Sequence, residues 1–114
     1  MLAKKYRLQI QNWLKNKSKK IISRRSDFFI IRMSANDLFF SRFGVIISAK
    51  VSKLAVKRNK IKRIIYDFIR LNNLVGLEAE KLKRGIDVAI TVLPTVAKLK
   101  KEEIEKELKN VITF

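Results

Sequence analysis

The segment from Leu54 to about Leu74 constrains the fold most, because its apolar residues recur with the period of an α-helix. Counted from Ile61 they follow the spacing i, i+3, i+4, i+7 and i+8, which places them on one helix face. The run NNLVG, residues 72–76, carries the stop signals of this helix. Because an amphipathic helix is stabilised mainly by burial of its apolar face, other elements must cover it.

Three runs rich in β-branched and aromatic residues predict strands that can do so. They are FFIIRMS (residues 28–34), RFGVIISAKV (42–51) and IDVAITVLP (86–94). We expect the first two to pair as an antiparallel hairpin or to lie as near neighbours in one sheet. Helical spacing marks two further segments, from Tyr6 to about Lys15 and from about Lys100 to Ile112.

The connections complete a simple element order. Residues 15–27 are polar and basic and are predicted to be a connector, and GLEAEKLKRG (76–85) is predicted to be a loop or one short helical piece. The predicted order is therefore αββαβα. A chain of 114 residues suits one domain, so we expect a single α+β domain over residues 1–114, a small sheet packed by helices.

The charge balance limits the function. The chain holds 27 Lys and Arg against 10 Asp and Glu, a formal net charge of +17. Such self-repulsion is most easily explained by a polyanionic partner, nucleic acid first and an acidic membrane surface second. No apolar run approaches the roughly 18 residues that cross a bilayer. We expect a cytoplasmic protein.

The chain has few of the groups that catalysis commonly uses. It contains no Cys and no His, which excludes disulfides, thiolate metal sites and the commonest general base. The acids are scattered, so we predict no catalytic residues and no metal site, although two carboxylates could still meet in space to hold Mg²⁺. If the protein takes part in catalysis, a partner must supply the reacting groups.

The first half of the long helix is unusually basic. KRNKIKR, residues 57–63, has five cations and one amide and contains no acid. Arg58 and Lys62 are spaced i, i+4, as are Asn59 and Arg63, and we expect them opposite the apolar stripe. Arg can bind a phosphate with two hydrogen bonds, and an amide suits a 2′-hydroxyl or a base edge. The pattern predicts RNA binding; the alternative is a merely solvated basic face.

The same residues carry a family resemblance. RNKIKR, which follows ISAKVSKLAVK and precedes DFIR, resembles the Arg-Asn-Arg signature of the protein subunit of bacterial ribonuclease P. Lys60 replaces the second arginine of that signature, and Tyr66 stands where the family usually has arginine. The resemblance implies the fold of the second domain of ribosomal protein S5, with a left-handed βαβ crossover. The matching positions are Lys50, Arg58, Asn59, Lys62 and Arg63.

The resemblance also implies a function: a subunit of the ribonucleoprotein endonuclease that removes the 5′ leader from precursor tRNA. Its partners would be the catalytic ribonuclease P RNA, acting with Mg²⁺, and precursor tRNA; no cofactor on the protein, no membrane and no DNA are expected. The residues expected to bind the catalytic RNA are Lys50, Lys53, Lys57, Arg58, Asn59, Lys60, Lys62 and Arg63. The leader is expected in a cleft between the sheet and the first helix, whose candidate residues are Trp13, Phe28, Phe29, Ile31 and Arg32.

Three other functions remain open at this point. A small structural RNA-binding protein of the ribosomal type would bind RNA without affecting tRNA processing. A membrane-surface protein would bind anionic lipid through its first helix and lysine run. A self-sufficient nuclease would hold a metal ion with Asp27, Asp67 or Asp87 and would cleave without added RNA.

Overall fold

In the computed structural model, which describes residues 4–15, 21–36, 38, 40–72 and 85–112, a four-stranded sheet carries helices on both faces. The strands are β1 (Ile22–Arg25), β2 (Phe29–Ala35), β3 (Arg42–Ile46) and β4 (Ile86–Val92). The α-helices are α1 (Ile10–Lys15), α2 (Ala55–Leu71) and α3 (Lys101–Val111), with 3₁₀ turns at Lys4–Tyr6 and Pro94–Lys98. The α+β class predicted from the sequence is confirmed.

The strand order is β1-β2-β4-β3. Strand β2 is antiparallel to both β1 and β4, whereas β3 runs parallel to β4. The predicted hairpin of β2 and β3 is therefore wrong, because β4 lies between them, although they are near neighbours in one sheet. A parallel pair needs a crossover, and α2 lies in the connection from β3 to β4. The handedness of that crossover stays a prediction.

Strand β1 was not predicted, because it lies in the segment assigned to the connector. All four of its side chains are exposed, so the sequence shows no apolar alternation there. The strand is defined instead by its ladder with β2, from the Ile22–Met33 pair to the Arg25–Ile30 pair. The described chain thus has one strand more than the predicted order. Residues 76–84, predicted to be a loop or short helix, lie outside the described residues.

The main core lies on the sheet face covered by α2 and α3. Alternate residues of β2, β3 and β4 point into it, as a strand period of two requires. Its fully buried side chains include Phe29, Ile31, Phe43, Ile65, Ile69, Val88, Ile90, Ile104 and Leu108. The N-terminal end of helix α3 is stabilised by acidic residues. Glu102 and Glu103 lie in its first turn, and the Lys100 backbone N–H donates to Glu103 Oε1 at 3.1 Å.

Among the described residues, those of α1 and of the segment before it cover part of the opposite sheet face. The helix begins at Ile10 and not at Tyr6, because the preceding chain runs along the edge of β3, where the Leu8 N–H donates to the Phe43 carbonyl at 2.8 Å. Trp13 is buried against the sheet, and its Nε1 donates to Ser34 Oγ at 2.9 Å. These contacts hold α1 to one part of the sheet.

The beginning of β4 is fixed by a buried carboxylate. Asp87 accepts two hydrogen bonds from Arg42, from Nε and Nη2 at 2.8 Å each, and one from Asn36 Nδ2 at 2.9 Å. Hydrogen bonding to Asp87 raises the pKa of Arg42. Next to this network a Cβ on Gly85 would overlap the Phe40 backbone, so only glycine fits there.

Candidate nucleic-acid interface

The two halves of α2 have different surroundings. Its buried residues, Ile61, Ile65, Tyr66 and Ile69, anchor the helix to the core from its second turn onward. Lys57, Asn59, Lys60 and Arg63 are exposed, and Arg58 and Lys62 are half-buried. The predicted RNA-binding residues, with the exposed Lys50 and Lys53 of the preceding loop, therefore form one continuous stretch of chain at the N-terminal end of α2. We call residues Lys50, Lys53, Lys57, Arg58, Asn59, Lys60, Lys62 and Arg63 the basic surface.

Arg58 has a structural contact that the sequence did not reveal. Its Nη1 donates to the Ser52 carbonyl oxygen at 2.7 Å. The expectation that Arg58 and Lys62 lie opposite the apolar stripe is wrong. Arg58 stands three residues before the buried Ile61, and Lys62 stands three residues before the buried Ile65. Each cation therefore lies on the same helix face as a buried isoleucine. Arg58 thus joins the helix to the loop before it, and a guanidinium has further donors that this contact does not use.

The loop between β3 and α2, residues 47–54, is held by short-range hydrogen bonds. Val51 is buried and its N–H donates to the Ser48 carbonyl at 3.1 Å, while the Lys50 N–H donates to Ser48 Oγ at 3.3 Å. The Leu54 N–H donates to Ser52 Oγ at 3.2 Å. These contacts fix the backbone from which the Lys50 side chain projects into solvent.

The charge of α2 opposes its own macrodipole. The first turn contains no acid, and the N-cap residue, Leu54, offers no side-chain cap. Lys57 and Arg58 instead add positive charge in the first turn, where the helix end is already positive. Within the described residues, no carboxylate forms a salt bridge with a cation of the basic surface. An anionic ligand would relieve this repulsion, and phosphate is the anion that Arg and Lys most commonly bind in this setting.

One further cation extends the basic surface along α2. Asn59, Arg63 and Arg70 are exposed, and their spacings of four and seven residues align them on one stripe. Arg70 also lies 3.9 Å from Asp67, the one acid of α2. Arg70 was not among the residues predicted from the sequence, although its helical spacing from Arg63 could have indicated it.

Tyr66, which stands where the family pattern usually has arginine, is a buried residue. Its side chain is 4% exposed, and burial raises its pKa above 10.0. A hydrogen bond with the Val45 backbone and the positive charge of Arg7 act in the opposite direction. Tyr66 therefore contacts the edge strand β3 and does not contribute charge to the basic surface.

The predicted leader cleft needs correction at two residues. Phe29 and Ile31 are fully buried beneath α2 and α3, so a ligand on the α1 side cannot reach them and the prediction is wrong for both. Phe28 is half-buried and also packs against that core. Trp13 does lie between α1 and the sheet, but it is 5% exposed and can shape a cleft without stacking on a base.

The open part of the α1 face has different residues. Arg32 lies on it, since it alternates along β2 with the buried Ile31. The strand registers place a second row of side chains beside Arg32, all of them half-buried or exposed. The members of this row, one on each strand, are Arg25, Ile30, Thr91 and Ile46. Strict alternation along β2 could have placed Ile30 and Arg32 on the opposite sheet face from Phe29 and Ile31. The row members on the other three strands could not be predicted, because their positions depend on which strands pair.

A self-sufficient nuclease would need clustered acidic residues, and a membrane-spanning protein would need a long apolar helix. Asp87 lies at the beginning of β4, where it accepts hydrogen bonds from Arg42. Asp27 lies beyond the other end of this strand, where its backbone carbonyl accepts a hydrogen bond from the Thr95 hydroxyl. The length of the strand therefore separates the two acids by roughly 15 Å or more. Within the described ranges, no three acidic residues cluster in a way that could hold a metal ion. None of the described helices is long and apolar enough to span a bilayer.

Fold and surface together define a class: small, basic α+β proteins with an exposed cationic helix. The ribonuclease P family model matches residues 2–113, and the chain belongs to the ribonuclease P protein family. It is 35% identical over 85 residues to the ribonuclease P protein component of Syntrophus aciditrophicus, covering 75% of this chain and 66% of that protein. With the Fusobacterium nucleatum protein component it shares 36% identity over 89 residues, covering 75% and 74%.

The alignments do not span every relative fully. The match covers 66% of the Syntrophus aciditrophicus protein and 58% of the Pseudanabaena protein, less than two thirds of each. Solved structures extend the likeness in fold. The Staphylococcus aureus RNase P protein superposes with a TM-score of 0.76 at 22% identity, covering 94% of this chain and 92% of that one. The Thermotoga maritima RNase P protein gives 0.70 at 22%, covering 91% and 92%.

Proposed function

We propose that this protein is the protein subunit of a ribonuclease P ribonucleoprotein, in which it binds the catalytic RNA and the 5′ leader of precursor tRNA. Membership in the ribonuclease P family carries the proposal. The basic surface supports it, because its cations lie on a helix anchored in the core and on a hydrogen-bonded loop, and they have no described carboxylate partner. The reacting groups would belong to the RNA, with Mg²⁺ supplying metal-ion chemistry there.

The catalytic RNA would contact the basic surface. Lys50, Lys53, Lys57 and Lys60 would neutralise phosphates as point charges, and Arg63 could bind one phosphate with two hydrogen bonds. Asn59 is exposed beside Arg63 and can donate to or accept from a 2′-hydroxyl. These contacts would give an affinity that falls steeply with salt.

The leader would lie on the open α1 side of the sheet. Arg25 and Arg32 supply positive charge there, and Ile30 and Ile46 supply an apolar surface for unstacked bases. A basic groove combined with aromatic side chains is the usual means of binding a single strand, and here isoleucines would take the place of the aromatic side chains. Trp13, the only tryptophan of the chain, is buried beside this surface and should report the binding of a leader oligonucleotide by a change in its fluorescence.

Cleavage of precursor tRNA under single-turnover conditions at low Mg²⁺ tests the proposal. A bacterial ribonuclease P RNA is assayed alone, with this protein, and with its Asn59→Ala, Arg63→Ala variant. We expect the protein to restore cleavage and the variant to restore less of it. Lys106→Ala, an exposed change on α3, is the control that also removes one charge and should behave as wild type.

The outcomes separate the alternatives. Binding of that RNA without any effect on cleavage would favour a structural RNA-binding protein. Cleavage by the protein without added RNA would return the acids to consideration as an active site.

A further inference from the structure

A groove runs between the N-terminal half of α2 and the chain that leads into α3. Its volume is about 510 Å³. Two of its lining side chains, Leu54 and Val56, are 68% and 82% exposed, although they are apolar. The rest of the apolar lining consists of Ile61, Ile64, Val96, Ala97, Leu99 and Ile104.

Lysines line the same groove from both sides. Lys57 and Lys60 come from α2, and Lys100 and Lys101 come from the start of α3. The described lining contains no acid. A ligand that fits this groove must therefore carry negative charge and must also offer an apolar surface to the isoleucine and valine side chains.

These two requirements exclude simpler occupants. The phosphate backbone of a duplex would engage the lysines but would leave the exposed Val56 and Leu54 without a partner. A second copy of this chain would bring its own charge of +17 against four lysines. A nucleotide that is not base-paired has both parts, since its base is a flat apolar surface and its neighbours carry phosphates.

We infer that this groove receives an unpaired nucleotide of the RNA partner, with the base against the apolar lining and the flanking phosphates on Lys57, Lys60, Lys100 and Lys101. The inference rests on the proposed function and adds a base-binding pocket to the basic surface. It also explains why apolar side chains are exposed at the N-terminal end of α2, where phosphate binding alone would not need them.

Paired variants of α2 test the apolar part. Val56→Ser changes the groove, whereas Leu71→Ser changes a side chain that is 72% exposed at the other end of the helix. Neither substitution alters charge or removes a buried group. We expect Val56→Ser to weaken binding of a ribonuclease P RNA transcript by roughly fivefold, with an unchanged salt dependence. Leu71→Ser should bind as wild type does.

A crosslinking experiment locates the ligand. Because the chain has no cysteine, Val56→Cys can carry a single photo-crosslinker, with Leu71→Cys as control. We expect Val56→Cys to crosslink to an unpaired nucleotide of the same transcript. Crosslinks to a helical stem, or equal affinities of the two serine variants, would overturn the inference. Vesicles of phosphatidylglycerol that bind wild type but not Val56→Ser would assign the groove to lipid and overturn it as well.

The proposed function has a separate outcome. If the wild-type protein restores precursor tRNA cleavage while either overturning result is obtained, the function stands and only the pocket is refuted. If the protein neither binds the transcript nor restores cleavage, both are refuted.

Discussion

Lys57→Glu tests whether the N-terminal half of α2 is arranged for binding at the expense of folding. Lys57 is exposed in the first turn of α2, where the macrodipole is positive and no acid is present. The substitution removes the unfavourable interaction of the lysine charge with the macrodipole and adds the favourable interaction of a carboxylate with it. Each is worth ~0.3–1 kcal/mol at an exposed helix end, so the free energy of unfolding should rise by about 1 kcal/mol.

RNA affinity should change in the opposite direction. The variant loses a phosphate contact and places a carboxylate against the phosphate backbone, so we expect roughly tenfold weaker binding of a ribonuclease P RNA transcript. The slope of log K against log salt should fall by about one for the lost contact. Lys106→Glu makes the same change in net charge on an exposed position of α3 and serves as the control. It should weaken RNA binding much less.

Urea unfolding measures the first effect, and titration of the RNA at several salt concentrations measures the second. A fall in unfolding free energy for Lys57→Glu would refute the reasoning, because Lys57 would then stabilise the fold. Equal losses of RNA affinity in Lys57→Glu and Lys106→Glu would also refute it. That result would indicate a response to net charge and not to a defined surface.

Three substitutions test other contacts. Arg58→Ala, which loses the bond to the loop, should lower the unfolding free energy by about 1 kcal/mol, whereas Arg63→Ala should leave it unchanged in the same urea titration. Burial raises the pKa of Tyr66, so its contribution to the free energy of unfolding is retained below pH 10 and lost as the pH rises further. Tyr66→Phe, which cannot ionise, should remove this part of the alkaline loss of stability in urea titrations at increasing pH. Gly85→Ala, whose Cβ would overlap the Phe40 carbonyl, should lower the free energy of unfolding by about 2 kcal/mol in a thermal melt. Gly44→Ala should cost less, because its Cβ would overlap the end of the Ile10 side chain and would lie 3.2 Å from the Leu8 carbonyl oxygen.

The fold was predictable where burial leaves a pattern. Strands β2 and β4 and helices α2 and α3 have apolar residues at the period of their structure, and the sequence located all of them. Strand β1 has four exposed side chains and forms through backbone pairing with β2, for which its own residues give no signal. The position of β4 between β2 and β3 is a long-range pairing that no local pattern specifies.

The site was predictable to the level of residue type and helical spacing. The sequence indicated the basic surface, but it could not show that Arg58 is bonded to the Ser52 carbonyl, since that contact depends on the path of the loop. Phe29 and Ile31 were also predicted, together with Arg32, to line the leader cleft that the family resemblance implied. Their alternation with Arg32 places them on the other face, and the helices on that face bury them.

The sheet would allow one small protein to bind the two RNA ligands proposed above. The face covered by α2 and α3 supplies the main core, so α2 is held by its buried residues, Ile61, Ile65 and Ile69, while its first turns remain free to carry unbalanced charge. The other face is covered in part by the six residues of α1, which leaves Ile30 and Arg32 accessible. The basic surface therefore lies on the face opposite the row of Arg25, Ile30, Thr91 and Ile46, and neither proposed ligand would have to displace the other.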